Sequence, residues 1–259
     1  MKVGLVSKVL ANEGMKAKNS VRGKVHPATS SRVVGGAETS ELVAMTEGLD
    51  LVLFSGWTLN PQEYRAFVKH NANSHSLLVM QENGTGYPPW HIVEGRHERR
   101  NVSGPIIQRF KDSTGSKEDL RKLLQDLDAN RRIEVDGKTA RLIICGENNL
   151  LRNKQSEGNA VSVRIEELAQ DFERIREDTD IFLNPAHTPM GNLGKLKQRW
   201  RYLSEGGRLC VYATNALDAS QLGGKRLQYA FADGEELELL PFESVPNDSW
   251  FHLSVVDWS

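Results

Sequence analysis

The feature that most constrains this chain is an alternation between two kinds of apolar pattern. Short runs rich in β-branched residues, bounded by turn formers, read as buried strands. Between several of them lie longer segments whose apolar residues recur every three or four positions, which reads as a helix with one apolar face. Sheets covered by helices bury both surfaces at once, so the pattern implies an α/β fold. Strands are expected at residues 3–6, 51–54, 76–80, 105–110, 132–135, 141–145, 180–184, 209–214, 227–231, 237–240 and 251–256. The spacing of Val161, Ile165, Leu168, Phe172 and Ile175 predicts a helix over 160–176, and Leu193, Leu196, Trp200 and Leu203 predict another. A shorter helix is expected around Leu120, Leu123, Leu124 and Leu127, and a further one from Pro61, a favoured first helical residue, to about Asn71. Residues 12–36 and 81–89 lack a period and carry turn formers, so they are expected as loops at a pocket mouth. From about Leu227 the chain reads as strands joined by turns such as Asp233-Gly234.

A length of 259 residues is enough for a full core and fits one α/β domain over the whole chain. The 33 Lys and Arg residues nearly balance 34 Asp and Glu, which gives no drive toward nucleic acid or a membrane surface. The locally basic stretches 94–100 and 195–201 read as solvated faces, the second lying on an amphipathic helix with Leu196 and Trp200 inward. Trp57, Trp90 and Trp200 are expected to fill core. No apolar run approaches the roughly 18–20 residues a membrane span needs, and the opening Met1–Val6 stretch is too short for a signal segment. A cytoplasmic protein with a small-molecule partner is therefore expected. Cys145 and Cys210 both sit in apolar runs, which argues against a disulfide. Without Cys-x-x-Cys, His-Glu-x-x-His or a phosphate-binding glycine loop, the expectation is chemistry by side chains alone, with no metal or cofactor.

The most informative stretch is Leu142-Ile143-Ile144-Cys145-Gly146-Glu147-Asn148. An apolar strand ends at a thiol, glycine follows, and polar residues take over. Such a turn can present a nucleophile at the carboxyl end of a sheet, where α/β proteins commonly place ligands. A free cysteine taken alone is more often a small core residue.

This stretch resembles the nucleophile motif of the nitrilase, or carbon-nitrogen hydrolase, superfamily. Further pieces are similar in the same order: Lys2-Val3-Gly4-Leu5-Val6 and Gly48-Leu49-Asp50-Leu51-Val52-Leu53-Phe54 to its first two strands, and Gly104-Pro105-Ile106-Ile107-Gln108-Arg109-Phe110-Lys111 to the strand ending in the catalytic lysine. Thr179-Asp180-Ile181-Phe182-Leu183-Asn184-Pro185-Ala186 is similar to its strand ending in Asn-Pro. The segment from Ser204 to Asn215 resembles its helix-to-strand unit closing on Asn. The likeness runs from about Lys2 to Asp257. It implies a four-layer α-β-β-α sandwich and a homo-oligomer, commonly an eight-layered dimer.

The resemblance also implies a set of roles. Cys145 is expected to form a covalent intermediate, and Lys111 to stabilise the developing negative charge and favour the thiolate, with Arg109 and Lys117 as nearby alternatives. The family's general base normally follows the second strand as Pro-Glu, but here Ser55-Gly56 occupies that place. Glu63, Glu94, Glu98 and Glu118 are the candidate substitutes, Glu118 favoured because many relatives carry a second glutamate between lysine and cysteine. Glu147 either walls the substrate pocket or satisfies backbone donors in the turn; Asn148 and His187 are expected to line the pocket. Two readings follow: a cofactor-free thiol hydrolase of a non-peptide C–N bond, amide rather than nitrile, or a catalytically degenerate relative that binds a small molecule or partner in the same cleft.

Overall fold

The structure is a computed structural model that describes residues 1–8, 44–56, 58–59, 61–70, 76–81, 88–95, 97–98, 105–154, 156, 158, 160–189, 191–216, 226–241 and 251–259. The expected loop at 12–36, most of that at 81–89, and Trp57 lie outside these residues.

Two sheets face each other. The first collects β1 (Lys2–Lys8), β2 (Leu51–Phe54), β3 (Leu77–Gln81), β4 (Trp90–Glu94) and β5 (His97–Glu98). Helix α1 (Pro61–His70) joins this half, and α2 (Lys117–Asp128) leads into the second sheet's β6 (Arg132–Val135) and β7 (Lys138–Leu142). A 3-10 segment, Cys145–Leu150, is followed by a separate hairpin, β8 (Leu151–Lys154) and β9 (Ala160–Val163). Then come α3 (Ala169–Glu177), β10 (Ile181–Ala186), α4 (Leu193–Ser204), β11 (Leu209–Thr214), β12 (Gln228–Ala232), β13 (Glu235–Leu237), β14 (Leu240–Pro241) and β15 (Phe251–Asp257). The strand orders are β14-β15-β1-β2-β3-β4-β5 and β13-β12-β11-β10-β7-β6. The centre of each sheet is parallel: β1, β2 and β3 in one, β7, β10 and β11 in the other.

Strand alternation builds the layers, because successive side chains point to opposite faces. Leu51 and Leu53 face the second sheet and meet Leu142, Leu183 and Val211 in the central apolar layer. Val52 and Phe54, one position out of step, pack with Tyr64 and Phe67 of α1. On the far side, Phe182, Tyr212 and Phe231 take up Leu123 of α2, Phe172 of α3 and Trp200 of α4. The result is the four-layer α-β-β-α sandwich.

Four expectations need correction. Residues 105–110 do not form a ladder strand; only Ile106 bridges to Trp90, and the backbone beyond turns its donors to side chains, Arg109 N–H going to Glu147. The helix expected from 160 starts as strand β9, because Val161 and Val163 pair across to β8, and the helical period holds only from Leu168 through Phe172 and Ile175. The strand expected to reach Cys145 ends at Leu142. The 237–240 run is split between the two sheets, β13 pairing with β12 and β14 with β15. Where turn chemistry was explicit the reading holds, as at Asp233-Gly234, whose positive φ values of 47° and 80° make the tight turn between β12 and β13. Among the described residues no helix is long and apolar enough to cross a membrane.

Trp200 is fully buried against Tyr212, Tyr229 and Phe231. Trp200→Ala is expected to cost about 3–5 kcal/mol through lost burial and the cavity left behind. Urea unfolding followed by circular dichroism measures this, and a loss under about 1 kcal/mol would mean that α4 does not depend on the ring.

Candidate active site

The site is built around a backbone turn. Ile143 N–H still pairs with Leu183 of β10 at 2.9 Å, but Ile144 N–H is captured by Glu147 Oε2 at 2.8 Å, which ends the strand pairing. Cys145 then adopts φ 45°, the left-handed region, at a cost of roughly 1–2 kcal/mol for a residue with a side chain. Glu147 holds the turn from within. Its Oε1 accepts from Arg109 N–H at 2.6 Å, and Arg131 donates to both oxygens at 2.5 and 3.1 Å. Arg131 also donates to the carbonyls of Ile107 and Leu142 at 2.7 and 3.2 Å. The Glu147 and Arg131 side chains are fully buried, so the carboxylate is spent on the turn and its neighbours.

Cys145 is half-buried and packs against both the central and the outer apolar clusters. The backbone N–H groups of His187 and Gly146 are near enough to its sulfur to favour the charged form. Burial pushes the thiol above its ordinary range, those two N–H groups pull it part of the way back, and the charge of Glu147 pushes it up again. The resting group is a neutral thiol. Lys111 meets this turn through its backbone: a β-carbon on Gly146 would collide with the Lys111 carbonyl, and only glycine allows that approach. The Lys111 side chain is exposed, and among the described residues no lysine shifts the thiol.

His187 follows the last residue of β10 and is only 3% exposed. Its ring lies over Gly56, which donates its N–H to Ala186 at 3.0 Å. A β-carbon on Gly56 would fall 2.8 Å from the ring's Nε2 and closer still to Cδ2. Nε2 lies 2.8 Å from Gln81 Oε1, and the Gln81 amide nitrogen donates to the Pro88 carbonyl at 2.6 Å. Trp90 flanks the imidazole at 6.3 Å between ring centres, and its buried indole N–H has no acceptor among the described residues. Behind the thiol, Asn184 accepts from Trp200 Nε1 at 2.9 Å and from Asn148 Nδ2, and donates to the Ile143 carbonyl at 2.5 Å. Asn148 Oδ1 is left buried without a donor among the described residues. Asn215, at the end of β11, donates to the Gly56 carbonyl at 2.6 Å and accepts from Lys8 N–H at 2.8 Å.

No family model matches the sequence, and no curated protein matches it. Solved structures do match. A CN-hydrolase superfamily protein from Xanthomonas campestris, with an arsenic adduct in its active site, aligns over 99% of this chain and 90% of its own at 12% identity, with a TM-score of 0.51. The fold is nitrilase-type. An amidase from Nesterenkonia sp. AN1, solved with the acetamide moiety of fluoroacetamide added covalently at its active-site cysteine, aligns at 10% identity over 99% and 90% with a TM-score of 0.50. A glutamine-dependent NAD(+) synthetase from Cytophaga hutchinsonii gives the same identity and score, this chain covering 43% of it.

Within this nitrilase-type frame the candidate acids are scattered. Glu118 lies on the solvent side of α2, 56% exposed, paired with Arg121 at 2.9 Å and Lys122 at 3.7 Å. Its own helix holds it, and the structure does not bring it to Cys145. Glu94 is exposed at the end of β4, and the Glu98 side chain lies outside the described residues. Glu63, in the first turn of α1, is 3% exposed and sits 3.7 Å from Lys8. The structure thus gathers Cys145, Asn148 and His187, with Lys111 present by its backbone. It adds Gln81, Asn184 and Asn215, of which the two asparagines stood at motif ends in the sequence and Gln81 gave no signal beyond closing an apolar run.

Two outcomes are expected. Glu147→Gln leaves the buried Arg131 guanidinium with only the more distant Asp126 carboxylate, 3.5 Å away, which should cost about 3 kcal/mol in urea unfolding; a change below about 1 kcal/mol would show the turn is held by other contacts. Because burial raises the thiol, iodoacetamide labelling of Cys145 followed by mass spectrometry should climb only at pH values above about 8.5, the ordinary thiol range. A plateau reached below that range would contradict the neutral resting thiol.

Proposed function

We propose that this chain is a cofactor-free thiol hydrolase acting on a non-peptide C–N bond, an amide rather than a nitrile, with Cys145 as the nucleophile. The observation that carries this reading is the placement of the sulfur: half-buried, on a left-handed turn at the carboxyl end of parallel strands. A core cysteine has no need of the strained backbone. Cys210, by contrast, lies in mid-strand in the outer apolar layer, and burial alone pushes its thiol up. The Nesterenkonia amidase, whose active-site cysteine carries the acetamide moiety of fluoroacetamide, supports a nucleophilic cysteine at this place in the fold. Asn148, whose buried Oδ1 accepts from no donor among the described residues, is assigned to the lining of the pocket.

Gly56 favours a second reading, a catalytically degenerate protein that binds a small molecule or a partner in the same place, since a glycine neither takes nor returns a proton. The two separate cleanly with p-nitrophenyl acetate, a small activated acyl donor. A hydrolase should take up one acetyl group at Cys145, seen by intact-protein and peptide mass spectrometry, and release p-nitrophenolate in a burst. Cys145→Ala should lose acetylation and at least about 100-fold of turnover. Acetylation of Cys145 no faster than that of Cys210 would leave the binding reading in its place.

A further inference from the structure

The basic run 195–201 of α4 is not a uniformly solvated face. Lys195 and Arg201 are exposed and Lys197 pairs with Glu236 at 2.6 Å, but Arg199 is half-buried and reaches inward. Its Nε donates to Asn153 Oδ1 of β8 at 3.0 Å, and its Nη1 donates to the Asn148 carbonyl and to Asn149 Oδ1 of the Cys145 turn at 3.2 and 3.0 Å. All three acceptors are neutral. We propose that Arg199 is the centre of a binding site for a small oxyanion, a carboxylate or a phosphate group, beside the Cys145–Leu150 turn, with the charge of Arg164 adding to the attraction. The site does not depend on whether Cys145 reacts.

The group Arg199 lacks is a counter-charge. A guanidinium stays protonated at neutral pH, and a charge drawn out of water without an opposite one is unfavourable. Other arginines that this fold covers are neutralised by carboxylates: Arg131 by Glu147 at 2.5 Å, Arg141 by Asp178 at 2.7 Å, and the half-buried Arg109 by Asp126 at 2.6 and 2.9 Å. Arg199 pairs with no carboxylate among the described residues. The electrostatic consequence is opposite in sign for the two half-buried groups. The hydrogen bond from Asp126 raises the pKa of Arg109, whereas burial and the charge of Arg164 bring that of Arg199 down to about 10.

Arg164 belongs to the same neighbourhood. Its backbone N–H donates to the Leu150 carbonyl at 2.7 Å, its Nη2 donates to the Gly115 carbonyl at 2.7 Å, its Nη1 donates to the Ser113 carbonyl, and the guanidinium lies 5.6 Å from the centre of the Phe110 ring. These acceptors are neutral as well. Asp112 and Asp119 act on Arg164 only from a distance, because their carboxylates accept from Thr114 and Ser116. Positive charge therefore collects on one side of the turn without local compensation, and an anion placed there would be attracted to both arginines.

The chemistry of the donors names the ligand class. Nη2 of Arg199 and Nε of Arg164 donate to no described residue, which leaves N–H groups of a planar fork for the oxygens of a carboxylate or phosphate. Because Arg199 is recessed among β8, α4 and the turn, a small anion fits it better than an extended acidic surface.

The test titrates the full chain with inorganic phosphate and, separately, with succinate, at an ionic strength held constant with sodium chloride. Proton–nitrogen NMR of the arginine Nε–H groups should show the Arg199 signal shifting to saturation with a Kd of about 1 mM or tighter, and the anion that binds more tightly identifies the ligand as a phosphate or a carboxylate. By isothermal titration calorimetry, Arg199→Gln should weaken binding at least about tenfold and Arg164→Gln about threefold. Arg201→Gln, which removes an exposed charge from the same helix, should change it by less than about twofold. No saturable shift at Arg199 with either anion by about 10 mM overturns the proposal. Equal weakening by Arg199→Gln and Arg201→Gln also overturns it, since that marks a diffuse field without a site. Should Arg199→Gln fail to fold, the Arg199 signal of the wild-type chain decides.

Discussion

The buried contact between Glu147 and Arg131 is the constraint on which the site depends. Desolvating two full charges costs several kcal/mol each, and their attraction recovers that only when the remaining donors and acceptors are satisfied as well. Here they largely are: the carboxylate also takes Arg109 and Ile144 N–H, and the guanidinium also reaches the Ile107 and Leu142 carbonyls. Three stretches that are distant in sequence are thereby pinned to one point: the segment after Ile106, the junction between α2 and β6, and the Cys145 turn. Arg109, weighed in the sequence as a substitute for Lys111, extends the same network through a two-pronged contact with Asp126 at 2.6 and 2.9 Å, which raises its own affinity for the proton. With those contacts made, the left-handed backbone at Cys145 has no alternative register to relax into.

A second set of contacts joins the two sheets at their carboxyl ends. Ala186 of β10 accepts from Gly56 beyond β2, and Asn215 beyond β11 binds both Gly56 and the last residue of β1. The Cys145 turn comes from one sheet and Gln81 from the other, so the spacing of the sandwich sets where the His187 ring can lie. His187 bridges the two: it is carried by β10, rests on the end of β2 and bonds to the end of β3.

Much of this was legible in the sequence. Strand positions in the parallel centre could be read because buried strands are continuous apolar runs, as at 51–54 and 209–214, where expectation and structure coincide. The Cys145 turn could be read because an apolar strand gives way to glycine and polar residues within a few positions. The edge hairpin of β8 and β9 could not. Arg152, Asn153 and Lys154 carry no strand signal, and Val161 falls by chance into the helical period of the segment that follows. Local pattern also could not locate the side chains around the thiol. Whether a glutamate such as Glu118 turns inward depends on helix facing, and whether an imidazole fills the space over Gly56 depends on how two sheets meet, a distance of 131 positions along the chain.

Arg141 carries a different implication. This fully buried side chain donates to the carbonyls of Leu127, Ile175 and Asp178 and to the Thr179 hydroxyl, and meets the Asp178 carboxylate at 2.7 Å. Its partners belong to the ends of α2 and α3, so a half-assembled molecule with either helix undocked would strand a bare guanidinium in hydrocarbon. Such intermediates are penalised out of proportion to the contacts they lack. This half of the sandwich should therefore come together, and come apart, in a single cooperative step.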